Sequence, residues 1–194
     1  MGAVDRQPAA CFKRGDGVAD AGGLTRHRRL LEWPGRSRRY AVYEKLGDVR
    51  EAAVTWGKVG DILYDRGELD EALRIRKEKQ LPVYEKLGDV RSAAVTWGKV
   101  GDILAKQGHL GRAIATYDTE VLPAKEALGD RRELLVSRAN LALHLLARNA
   151  EGDRRRAESL LRLALQDAEA MRLPEADTIR AIMSNQGFEI SSPR

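Results

Sequence analysis

Between residues 48 and 187, small and apolar positions return every three or four residues. Ala52, Ala53, Trp56, Val59, Gly60 and Leu63 fall on one side of a 3.6-residue turn, the spacing of a helix that buries a single stripe. Gly67 ends that pattern, and Leu69, Ala72, Leu73 and Arg76 begin a second one. Period-two runs of Val, Ile, Tyr and Thr, the signature of half-buried strands, are absent. The pattern predicts an all-α protein.

The pattern also repeats. The stretch VYEKLGDVREAAVTWGKVGDIL, from Val42 to Leu63, returns from Val83 to Leu104 with one change, Glu51 to Ser92. Leu-Gly-Asp recurs at 46–48, 87–89 and 128–130, and Leu-Pro at 81–82 and 122–123. The unit is therefore 41 residues long, present twice almost unchanged and a third time in diverged form. Within it, Gly-Asp predicts a left-handed glycine closing one helix and an aspartate capping the next. Glu51 and Glu133, three residues after Asp48 and Asp130, extend two of these caps toward capping boxes. Pro82 and Pro123 fall inside the second helical arm, where a missing N–H and a bulky ring predict a kink or short break. Apolar positions resume at Tyr84 and Leu87, so helix should resume too. Units run over 48–88, 89–129 and 130–173, followed by a helix at 174–186 that starts at Pro174 and stops at Gly187. That last helix is expected to cap the stack, leaving 188–194 as a tail.

Trp97, Val100, Gly101, Leu104, Gly108, Ala113 and Tyr117 resemble the tetratricopeptide repeat pattern of large, apolar, small, aromatic, glycine, alanine and aromatic positions. Trp56, Val59, Gly60, Leu63, Gly67 and Ala72 match likewise, with Arg76 in place of the last aromatic. The third copy is looser, with Arg138 for the tryptophan and a three-residue insertion before Gly152 and Ala157. The resemblance covers roughly residues 40–172, in a longer-than-usual repeat. It implies a right-handed superhelical solenoid of antiparallel helical hairpins, in which Gly60 and Gly101 admit the facing helix and each unit shields its neighbour. Trp56 and Trp97 are then core residues.

Charge changes the picture at one end. The chain has 34 Lys and Arg against 29 Asp and Glu, but residues 1–39 hold nine of the bases and four of the acids. The repeat domain is thus neutral, and the high pI belongs to an arm that reads as disordered. No apolar run is long enough for a membrane span and no secretory signal heads the chain, so a soluble, cytoplasmic protein is expected. Cys11 has no intrachain partner and the three histidines are scattered, which makes a disulfide framework or zinc site unexpected. Trp56-Gly-Lys-Val59 lacks both the leading glycine and the Ser or Thr of a phosphate loop. Neither His109 nor His144 has a serine or cysteine near it in sequence, and Arg14-Gly15-Asp16 reads as a chance tripeptide. No enzyme activity and no cofactor are expected. The charged run at 74–79 reads as a solvated face.

The resemblance further implies that the first helix of each unit lines a concave groove. Carried over, this names Val54, Gly57, Asp61, Tyr64 and Asp65; then Val95, Gly98, Asp102, Ala105 and Lys106; then Val136, Ala139, Leu143, Leu146 and Ala147. Asp61 and Asp102 would repel the C-terminal carboxylate that chaperone-tail-binding members grip. They are consistent either with a groove for a basic or amphipathic peptide or with plain surface charge. Two other readings stand beside protein binding: the basic arm as a salt-sensitive contact to nucleic acid or an anionic surface, and a spacer or self-associating piece of a larger array joined through its ends.

Overall fold

The computed structural model describes residues 48–189. The basic arm, Cys11, the Arg-Gly-Asp tripeptide, residues 40–47 and residues 190–194 lie outside the described residues. Among the described residues every regular element is helical. The order is α1 (Val49–Asp65), α2 (Leu69–Ile75), a π-helical turn (Arg76–Gln80), α3 (Leu81–Lys86), α4 (Val90–Lys106) and α5 (Leu110–Thr116). A second π-helical turn (Tyr117–Val121), α6 (Leu122–Ala127), α7 (Arg131–Arg148), α8 (Asp153–Ala170) and α9 (Glu175–Asn185) complete it.

The aspartate caps form as the sequence predicts, but the Glu133 carboxylate takes Lys125 and the Asp130 N–H bonds the Lys125 carbonyl, so no capping box closes there. Asp48, Asp89 and Asp130 each accept a hydrogen bond from the N–H three residues on, at Glu51, Ser92 and Glu133. Just before the second cap, Gly88 adopts φ 64°. Its N–H bonds the Glu85 carbonyl while the N–H of Asp89 reaches Tyr84, the paired closure that a left-handed residue permits. Gly129 and Asp130 repeat it one unit on, bonding Glu126 and Lys125. Asp89 therefore ends one helix and starts the next. Arg172 closes α8 in the same manner at φ 54° without being a glycine, and Asn149 ends α7 at φ 51°.

At the prolines the second arms pass through a π-helical turn and not through a break. Each arm widens by one residue per turn ahead of Leu81-Pro82 or Leu122-Pro123, and the N–H of Leu81 bonds the carbonyl of Arg76, five residues back. Leu122 does the same with Tyr117. A π-type turn accommodates a residue that has no N–H to give and whose ring crowds the preceding turn, so the helix continues.

Packing follows chain order. Gly60 faces Arg76 and Gly57 faces Gln80, so α1 and the following arm run antiparallel. Each arm also packs against the first helix of the next unit: α2 and α3 against α4, α5 and α6 against α7. One apolar cluster joins Leu81, Val100, Leu104 and Ala113. A larger one runs from Ile114, Tyr117 and Val121 through Leu135, Leu141, Leu145 and Leu161 to Ile179, Met183 and Phe188. Half-buried Trp97 touches both. Matching ion pairs tie the units together, Arg50 to Asp89 and Arg91 to Asp130.

Four expectations need revision. Within the run 74–79, Ile75 and Arg76 are buried while Arg74, Lys77, Glu78 and Lys79 are exposed, because Arg76 continues the stripe of Leu69, Ala72 and Leu73 and faces Gly60 of α1. Trp56 and Val59 are only half-buried. Leu87 is exposed rather than core. Phe188, assigned to the tail, is buried, since Gly187 turns the chain back and the Phe188 N–H bonds the Met183 carbonyl.

Candidate functional site

The candidate residues occupy the first helices α1, α4 and α7, and the contacts between those helices bring several of them together. Lys106 of α4 donates to the Tyr64 carbonyl of α1 at 3.1 Å, with its ammonium 4.0 Å from the centre of the Tyr64 ring. Asp61 of α1 lies 3.7 Å from Lys99 of α4. Asp102 of α4 lies 3.3 Å from His144 of α7. Tyr64 is pushed up from its ordinary pKa by burial and then by the negative charges of Asp102 and Asp65. These contacts link all three first helices side by side.

The apolar members divide between open surface and packing, since Ala105, Val136, Ala139 and Leu146 rest against the apolar clusters. Val95 and Leu143 are each 41% exposed, Val54, Ala105, Val136, Ala139 and Leu146 are half-buried, and Asp65, Lys106 and Ala147 are exposed. Gly57 departs from the set: it is buried, and a Cβ there would meet the Gln80 amide nitrogen at 2.5 Å. It faces the second arm, not the surface. Gly98, its counterpart one unit on, has open space where a side chain would go.

Beneath this face, each aspartate is held from below by the residue fifteen positions later. Arg76 Nη2 donates to Asp61 at 2.6 Å, and its Nη1 donates to the Gln80 side chain at 2.6 Å. Burial lowers the pKa of Arg76, and Asp61 opposes that shift; the guanidinium stays charged because its ordinary value is so high. One unit on, the Tyr117 hydroxyl donates to Asp102 at 2.7 Å and accepts from the Asn140 amide at 3.3 Å. Tyr117 is raised in pKa by burial first and by Asp102 next, which keeps the proton available for donation. The His144 ring stands edge-on to the Tyr117 ring, with centroids 5.3 Å apart. The sequence reading did not assign Arg76, Tyr117, Lys99, Asn140 or His144 to this face. The 41-residue register could have found the first two, since Arg76 and Tyr117 stand at one repeat position opposite Gly60 and Gly101.

Chemistry elsewhere is sparse. Among the described residues no group of three His, Cys, Asp or Glu side chains is placed to hold a metal ion. None of the described helices is long and apolar enough to cross a membrane. A surface depression of about 430 Å³ is lined by Glu151, Gly152, Arg154, Arg155 and Glu158, none of them a candidate above. His109 is an exposed residue at the start of α5. The chain matches no protein-family model and no curated protein.

Proposed function

We propose that the chain is a non-catalytic protein–protein interaction module: a short, right-handed, tetratricopeptide-like solenoid of helical hairpins, capped by α9, that takes a basic or amphipathic peptide on the face of its first helices. The observation that carries this reading is the side-by-side placement of Asp61, Tyr64, Lys99, Asp102, Lys106 and His144 across α1, α4 and α7, with Val95 and Leu143 exposed on the same helices. Exposed aliphatics among partly engaged charges are the ingredients of a recognition surface: apolar contact gives affinity, and charge selects the partner. The near-identical units have a reason under this reading, since each copied block extends one surface. The nucleic-acid alternative through the basic arm rests on residues outside those described.

Site-specific photocrosslinking in source cells tests it. A benzophenone side chain at position 95 or 143 should capture a discrete partner. The same group at Leu163 of α8, 46% exposed in the native chain, should not. Capture from position 163 alone would count against the first-helix face.

A further inference from the structure

Asp61 and Asp102 sit in the same local sequence, Trp-Gly-Lys-Val-Gly-Asp-Ile-Leu, 41 residues apart, yet their electrostatic surroundings are opposite. Asp61 has two permanent cations, Arg76 at 2.6 Å and Lys99 at 3.7 Å. One repeat on from those cations stand Tyr117 and Asn140, both neutral. Asp102 accepts from the Tyr117 hydroxyl, and Asn140 donates to that hydroxyl in turn. Among the described residues its one basic contact is His144, which is a cation only when protonated.

The contacts are also one-sided. Tyr117 and His144 both address Oδ1 of Asp102, so among the described residues Oδ2 receives no hydrogen bond. A carboxylate offers about four acceptor positions over its two oxygens, and the Asp102 side chain is 29% exposed. The nearest lysines on the same helix are already engaged, Lys99 with Asp61 and Lys106 with Tyr64. Val95, two turns earlier on α4, and Leu143, next to His144 on α7, supply open aliphatic surface.

We propose that Asp102 is the specificity-determining carboxylate of this face: its free oxygen receives one lysine or arginine side chain of a partner peptide, whose flanking aliphatic residues rest on Val95 and Leu143. Asp61 plays no such part, because Arg76 and Lys99 already neutralise it. A half-buried carboxylate without a permanent cation attracts a partner charge more strongly than one already paired, since solvent screens it less. The inference rests on the first-helix face being a binding surface.

The probe is a phage-displayed library of random dodecapeptides selected on the full chain. Enriched peptides are then synthesised with a fluorescent label and titrated by anisotropy at physiological ionic strength. The expected selection holds one Lys or Arg between aliphatic residues. Asp102→Asn keeps an acceptor for Tyr117, which an unchanged melting temperature verifies, and should weaken binding on the order of tenfold. Asp61→Asn should change it by less than about threefold. Replacing the peptide lysine or arginine by norleucine should weaken binding to wild type by the same factor as Asp102→Asn, and should cost nothing further in that variant.

Selection of peptides without a basic residue, equal sensitivity to Asp61→Asn, or additive losses in the cycle would each overturn the proposal. If binding ignores Asp102→Asn but is abolished by Val95→Glu and Leu143→Glu, the proposal fails while the binding face stands. If the enriched peptides ignore those two variants as well, or if none is enriched, the binding face fails and the proposal falls with it.

Discussion

The hydroxyl of Tyr117 donates to the carboxylate of Asp102 across 2.7 Å, and it reaches that far because Gly101 presents no side chain to the ring. A Cβ at position 101 would lie 2.7 Å from Tyr117 Cε2 and 2.8 Å from Cδ2. The ring is 1% exposed and has nowhere to retreat. Gly101→Ala should therefore destabilise the fold by about 2 kcal/mol in chemical denaturation, as overpacking does. Gly98→Ala, in the same helix and facing open space, should stabilise it by up to about 1 kcal/mol through helix propensity. Equal effects at the two positions would contradict the packing described.

Arg76 occupies the place of Tyr117 at greater electrostatic cost. Only the Arg76 end of this ion pair is buried, since Asp61 is half exposed and also faces Lys99, and replacing such a buried polar group with a well-packed one is often neutral or better. Arg76→Ala should cost on the order of 2 kcal/mol through lost packing on Gly57 and Gly60. The double change Arg76→Tyr with Gln80→Val copies the second unit, where Tyr117 and Val121 stand, and should leave the denaturation midpoint unchanged or raised. A large loss in the double variant would show that the first unit is not built like the second.

The second arms illustrate what the sequence could not convey. Hairpin order, caps and the 41-residue register were legible because they depend on local chemistry: Asp48, Asp89 and Asp130 cap in the structure where the spacing places them. The π-helical turn was not, because it is a negotiated outcome of Pro82 and the packing of α1. Arg76, at the head of that turn, points inward and Lys77 outward, which leaves a buried guanidinium beneath Asp61. His144 was equally hidden: its contact with Asp102 crosses 42 residues and connects two units whose sequences have diverged. Pattern reasoning recovers the periodic part of such a fold and misses side chains whose roles depend on a neighbouring helix.

Asp153 supplies a pH dependence. Two hydrogen bonds from Arg148 and one from the Ala150 N–H hold its carboxyl down at about 2, against an ordinary value of about 3.9. With the folded value depressed, the unfolded chain takes up the proton first as pH falls. The contribution is fully present above about pH 4 and is lost as pH falls toward about 2. The gap in melting temperature between wild type and Asp153→Asn should therefore narrow over that window; a constant gap would rule the linkage out.

Phe188 closes the end of α9, buried against the same cluster as Met183, with the Arg154 guanidinium 4.6 Å from its ring centre. Phe188→Ala should cost about 3 kcal/mol. Hydrogen exchange should show the loss first at the amides of α9, because the variant removes the contact that anchors that helix end. Unchanged protection there would mean that α9 holds without it.

Mapping amide chemical shifts of the isotope-labelled chain on titration with a selected peptide shows whether the first helices form the binding face. Perturbations are expected at Val95, Gly98, Asp102 and Leu143, diminished for Asp102 in a titration with the norleucine peptide. Perturbations confined to Arg74, Lys77 and Leu163 on the second arms would contradict a binding face on the first helices.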